Sequence, residues 1–154
     1  MARPAIHRLT VSEVEYIAFS LAQELMEYGE PIPPFDTRYP DKLESCLQTP
    51  FQTFNRKSLY PTFEGKAAML FYLMVKNHPF QNGNKRVAVV TLYYFLRSNH
   101  RKLKVSNIKL YEFAKEVAAS DAQKKDEAIA KILSFIINFS ERIAVPVVIS
   151  DTIQ

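Results

Sequence analysis

Residues 78–96 read HPFQNGNKRVAVVTLYYFL, a polar loop running into an almost wholly apolar segment. Residues 84–98 fit one helix, and a helix that is apolar nearly all round belongs in the centre of a fold. Immediately upstream, the pairs Ala67/Ala68, Leu70/Phe71 and Met74/Val75 recur at i, i+3, i+4 and i+7. Residues 64–77 therefore form a second helix with a broad buried face, stopped by His78 and Pro79. Two such helices in sequence predict an all-α fold, a helical bundle built around the central apolar helix.

Working outward, Thr10 and Ser12 each have a glutamate three residues on, and Val14, Ile17, Ala18, Leu21 and Leu25 follow at helical spacing. This predicts a first helix over 12–28, ended by Gly29. Six of the nine prolines fall between residues 31 and 61, which makes that segment irregular or extended. Within it, DKLESCLQT predicts a short helix capped by Asp41, and FQTFNRKSLYPTF predicts a small β-hairpin flap around Asn55–Ser58. Downstream, Ser106 or Asn107 caps a helix reaching Val117, and Asp121 caps another over 123–142. The tail VPVVISDTIQ is expected to be peripheral. At 154 residues the chain has the size of one domain, 1–154.

Composition narrows the class further. A chain with 47% hydrophobic residues, 23% charge and three glycines is a globular one with little room for tight β-turns. Its longest apolar runs, AAMLFYLMV and VAVVTLYYFL, fall short of the roughly 18 residues a membrane span needs, so they read as core helices. The N-terminal MARPAIHRLTVSEVE lacks the apolar stretch of about 7–15 residues that a secretory signal requires. One cysteine, Cys46, makes no internal disulfide, and a cytoplasmic setting is expected. The net charge of +4 is a mild excess that does not by itself point to nucleic acid. A helix–turn–helix reader must also turn polar side chains to the major groove, which VAVVTLYYFL does not supply.

The loop itself is chemically unusual. A helix N-terminus exposes unpaired N–H groups and the positive end of the dipole, where cations are unfavourable by about 0.3–1 kcal/mol each. Yet Lys85 and Arg86 stand in the first turn, directly after Gly83, a residue that lets backbone approach a ligand closely. A phosphate chain would reconcile them. Arg86 can grip phosphate oxygens, Lys85 can add a point charge, and Asn84 can donate from its amide. Asn82 offers a carbonyl oxygen to Mg²⁺, and His78 is the group able to take a proton from a hydroxyl near neutral pH. A plain interhelical turn is the competing reading, because Asn-Gly is a common turn dipeptide and asparagine a good helix cap.

HPFQNGNKR resembles the Fic-domain signature H-P-F-x-[DE]-G-N-G-R-x-x-R, and more closely its death-on-curing branch, in which the last glycine is lysine. The likeness extends to LTVSEVEYI, LESCLQTP, the aromatic hairpin, LYPTFEGKAAML and the NHPF junction, in order and spacing. The resemblance implies an all-α Fic fold whose loop holds a nucleoside triphosphate such as ATP with Mg²⁺, and whose histidine activates a hydroxyl of a target protein. By position, His78 is then the general base, Phe80 the anchor of the loop in the core, and Asn82 the metal ligand. Gly83, Asn84 and Lys85 form the anion hole, and Arg86 holds phosphate. The hairpin, residues 51–62, matches the flap that docks a target segment by strand addition. An antitoxin chain is the implied partner.

Three departures qualify that picture. Lys85 replaces the glycine of AMP-transferring members and crowds the place of the inner phosphates, so the branch implies phosphoryl transfer, with AMP transfer the alternative. Val89 stands where a second arginine would be. Asn82 replaces an acidic residue and so weakens the metal site, which leaves a catalytically degenerate Fic-fold binding module as a further alternative. Cys46 reads as core packing, and His7 and His100 receive no function. Arg56 and Lys57 lie at the hairpin tip, where contact with a target competes with simple solvation. Ser20 and Glu24 faintly resemble an inhibitory-helix motif whose last position Leu25 breaks.

Overall fold

Thr10 opens the first helix through a reciprocal cap: its hydroxyl accepts from Glu13 N–H at 3.1 Å, and the Glu13 carboxylate accepts from Thr10 N–H at 3.0 Å. In the computed structural model, which describes residues 5–22 and 30–143, helix α1 (Val11–Tyr16) continues through a wider π-type turn at Ile17–Leu21. The rest of the helix expected over 12–28, with Glu24, Leu25 and the stop at Gly29, lies outside the described residues. So does the tail VPVVISDTIQ.

Helix α2 (Pro40–Gln48) begins on a proline, whose missing N–H is harmless at a first helical position. Asp41 is therefore not the cap it was expected to be. Tyr39 holds that place, and the Asp41 carboxylate sits in the first turn, where it favours the helix dipole. After a 3₁₀ turn at Thr49–Phe51 come strands β1 (Thr53–Phe54) and β2 (Lys57–Ser58), antiparallel with Thr53 opposite Ser58. Both turn residues, Asn55 and Arg56, have positive φ (51° and 65°), the conformation whose twist suits a two-residue hairpin.

Helix α3 (Phe63–Lys76) is capped by the Thr62 hydroxyl, which accepts from Gly65 N–H at 2.9 Å. Helix α4 (Asn84–Ser98) follows with the boundaries its sequence predicts. Strand β3 (Arg101–Leu103) leads to α5 (Asn107–Ala119), capped by Ser106, and to α6 (Lys125–Phe139), preceded by a 3₁₀ turn that Asp121 caps. The helix expected over 123–142 ends at Phe139, because the next three residues form strand β4 (Ser140–Arg142) against β3. Leu103 lies opposite Ser140, and Lys104 N–H donates to Phe139 O at 2.7 Å. That partner is distant in sequence and leaves no local mark in it.

The architecture is all-α, with two small antiparallel strand pairs among the described residues. Helix α4 is the axis: Val87, Ala88, Val89, Val90, Leu92, Phe95 and Leu96 are all buried. It packs against α3 and α5, and α3 in turn packs against α6. A stack of rings, Phe71 on Phe113 and Phe113 on Phe135 (centroids 6.2 and 4.5 Å apart), ties α3, α5 and α6 together. The middle of α4 is buried and its two ends lie nearer the surface, with Lys85 half-buried in the first turn and Arg97 exposed in the last.

Candidate functional site

The loop from His78 to Gly83 is held at both ends. Phe80 is buried against Phe35, ring centroids 6.0 Å apart, the anchoring that the resemblance implies for it. Pro79 O accepts from Tyr39 N–H at 2.9 Å, so the start of α2 grips the loop beside His78. His78 itself is exposed, with a left-handed backbone at φ 50°. Histidine tolerates that region better than most residues, though at a cost in strain. The residue is thereby left open to solvent at the mouth of the loop.

Asn84 closes the loop on itself. Its Oδ1 accepts from Phe80 N–H at 2.9 Å, and its Nδ2 donates to Phe80 O, also at 2.9 Å. The side-chain amide expected to donate to an anion is instead spent on the loop backbone, and the residue is buried. What Asn84 can offer an anion is its main-chain N–H, one of the unpaired donors of the first turn of α4.

Arg86 differs from expectation in the same way. Its guanidinium is buried and donates to Glu30 O at 2.9 Å and to Ala22 O at 3.2 Å. In this conformation it supports the segment lying over the loop, an arrangement suited to a rigid planar fork. Gly83, at φ 74°, shows why that segment matters: a Cβ there would stand 2.9 Å from both Pro31 O and Ile32 Cγ1. The close approach that glycine permits here is by the chain's own Pro31–Ile32.

The decisive contact is made by Glu30. Its carboxylate lies 3.5 Å from Gly83 N and 3.4 Å from Lys85 Nζ, at the N-terminus of α4. Lys85, the cation that a helix start disfavours, has an anion beside it after all, and this anion belongs to the chain. Glu30 thus marks where negative charge is accepted. Its position between the glycine expected to end the first helix and the proline-rich segment gave it no helical or strand pattern by which to be singled out.

Asn82 Oδ1 accepts from Gly83 N–H at 2.9 Å, so this carbonyl turns towards the same backbone group as the Glu30 carboxylate. No group of three or more histidine, cysteine, aspartate or glutamate residues able to hold a metal occurs among the described residues. Mg²⁺ at a phosphate site takes most of its ligands from phosphate and water, and one neutral oxygen from Asn82 is compatible with that. Val89 is fully buried in the core.

Other candidates resolve structurally. Cys46 is fully buried, and burial pushes its thiol up to about 12, only partly offset by a hydrogen bond with Asn77, so it forms no nucleophilic thiolate at neutral pH. His7 Nε2 pairs with Glu13 Oε2 at 2.8 Å and belongs to the helix start. His100 lies in the turn between α4 and β3, with its carbonyl accepting from Ile143 N–H. Arg56 and Lys57 are exposed at the hairpin tip. Sequence reasoning passed over Lys66, although a lone cation inside the apolar GKAAML run is a legible anomaly; its side chain is buried under the hairpin.

No curated protein and no solved structure matches the chain. A family model described as Fic/DOC family matches residues 6–96, which include the capped α1, the hairpin, the His78–Arg86 loop and nearly all of α4. More than half of the chain lies within that match, and the chain belongs to the Fic/DOC family, whose members are in general transferases that use a nucleoside triphosphate with Mg²⁺.

Proposed function

We propose that this chain is a death-on-curing-like transferase that moves the terminal phosphoryl group of ATP, or another nucleoside triphosphate, to a hydroxyl of a cytosolic target protein. The observation that carries this reading is the Glu30 carboxylate seated against Gly83 N and Lys85 Nζ, an internal anion where a phosphate would lie. Phosphate oxygens taking its place meet the main-chain N–H groups of Gly83, Asn84 and Lys85 and the Lys85 ammonium. Arg86 acts from behind, holding the Ala22 and Glu30 carbonyls and so the wall of the seat. Asn82 would hold Mg²⁺, which would supply positive charge against the phosphates when bound.

His78, exposed at the mouth of the loop, takes the proton of the acceptor hydroxyl. The hydroxyl oxygen bonds to the terminal phosphorus, the bond from that phosphorus to the bridging oxygen breaks, and ADP leaves. Lys85 favours this outcome over AMP transfer, since its side chain fills space that the inner phosphates need. The hairpin at 51–62 docks the target segment, and a separate antitoxin chain restrains the activity.

Incubation with cytosolic extract and ATP labelled on either the α- or the γ-phosphate tests the reading. The γ-label is expected on serine, threonine or tyrosine of an acceptor protein, the α-label is not, and His78→Ala should abolish transfer while leaving the fold intact. The α-label on protein with release of pyrophosphate would move the chain to the AMP-transferring group. Undiminished transfer by folded His78→Ala would remove His78 as base, and no label from either position would favour a binding module.

A further inference from the structure

The β1–β2 hairpin has little to hold it. Two-residue strands make only a marginal ladder, and every residue from Gln52 to Lys57 is exposed, Phe54 at 69%. At its first foot the Phe51 ring packs edge-on against Phe95 of α4, centroids 6.3 Å apart, with the Arg8 guanidinium 4.4 Å over it, and the polar tie on the second foot comes from α3. Lys66, 7% exposed, donates from Nζ to Ser58 Oγ at 2.9 Å and to Tyr60 O, and Ser58 Oγ itself donates to Tyr60 O at 3.0 Å. The ammonium also lies 5.8 Å from the centre of the Phe51 ring, at the other foot of the hairpin. One cation therefore joins the residue that ends β2, the carbonyl two residues on and the aromatic ring before β1.

Burying a cation is costly, and burial lowers the Lys66 pKa. A methionine would fill the same space without that cost. Lysine supplies what methionine lacks, charge-assisted donors that reach a hydroxyl and a carbonyl together. We infer that Lys66 is the positioning residue of the flap, its ammonium fixing Ser58 and Tyr60 so that the hairpin presents an ordered strand edge to the segment carrying the acceptor hydroxyl. This rests on the reading of the hairpin as the target-docking element. Strand addition requires backbone groups already aligned, and a hairpin free to rotate on its feet must be ordered at each encounter, which weakens acceptor binding and leaves nucleotide binding alone.

The test uses the full chain with Lys66→Met, Lys66→Arg and, from the other side of the bond, Ser58→Ala. Arg56 and Lys57 at the exposed tip are trypsin sites that report directly on flap order. Loss of a charge-assisted bond should speed cleavage there roughly tenfold in Lys66→Met. The affinity for ATP should stay within about twofold of wild type, while transfer of γ-label to extract protein at dilute acceptor should fall about tenfold and recover at high acceptor concentration. Lys66→Arg should restore most of both effects, and Ser58→Ala should reproduce them more weakly. Unchanged cleavage in folded Lys66→Met overturns the clamp. Faster cleavage with unchanged acceptor dependence makes Lys66 merely structural and overturns its positioning role. If wild-type protein transfers no label, the proposed function fails and takes that role with it, while the cleavage rates still report whether Lys66 holds the hairpin.

Discussion

Replacing Glu30 with glutamine tests whether the α4 N-terminus is an anion seat with its own occupant. Glu30 is 49% exposed along its side chain and Lys85 23%, and their charged atoms are 3.4 Å apart. Pairs this exposed contribute about 0.2–1 kcal/mol, so the seated carboxylate is favoured over the unseated one only about 1.4- to 5-fold. Removing such a competitor tightens an incoming phosphate about 2- to 6-fold, because apparent affinity scales with the open fraction. Relief of carboxylate–phosphate repulsion across about 4 Å of water-like medium adds about 1 kcal/mol, or roughly fivefold. The Kd for a non-hydrolysable ATP analogue should therefore fall by about 10- to 30-fold in Glu30→Gln, measured by titration calorimetry, with the gap narrowing as salt rises. Glu30→Ala should act alike, since Arg86 grips the main-chain carbonyl of residue 30 and not its carboxylate. A Kd unchanged or weakened without Mg²⁺ would refute the reasoning. Weakening seen only with Mg²⁺ would place the carboxylate beside Asn82 as a metal ligand, which equally removes it as a competitor.

Phe80→Ala should lower stability by about 3–5 kcal/mol, the range for a fully buried ring, and a calorimetric melting temperature by roughly 6–20 °C for a chain of this size; a near-neutral change would show that Phe35 and the core do not hold the loop. Asn82→Asp should tighten Mg²⁺-dependent nucleotide binding and raise the transfer rate, as a carboxylate brings charge and a stronger oxygen ligand, and if neither moves then residue 82 is not a ligand. Acid sensitivity is expected at Glu13: burial pushes its carboxyl up, but hydrogen bonds from His7 and Thr10 N–H outweigh this and leave its pKa below the ordinary 4.5. A carboxyl depressed in the folded state contributes stability that is fully present above its unfolded pKa and lost as pH falls through the folded one. Urea midpoints followed downward from about pH 6 should therefore fall below about pH 4.5, and Glu13→Gln should flatten that limb; an identical acid limb would remove the His7–Glu13 pair as its source.

Much of the fold was written locally. Helix α4 could be placed at residues 84–98 because glycine, asparagine and an unbroken apolar run are short-range signals, and Thr10, Thr62 and Ser106 cap from within the turn they begin. The resemblance of HPFQNGNKR located the loop and its histidine for the same reason, since a contiguous motif needs no folding to be read. What the loop's side chains touch was a different matter. Asn84 could have faced a ligand or the loop, and the choice fell to Phe80 once its ring had a core to enter. Arg86 and Gly83 owe their surroundings to Ala22 and Glu30–Ile32, more than fifty residues earlier, and β4 owes its existence to β3. Lys66 reads as one charge in an apolar helix until the hairpin folds over it. Helix starts depend on neighbours a turn away, whereas the partner of a buried donor is whichever acceptor the packed chain brings within about 3 Å, and that is decided only when the core closes.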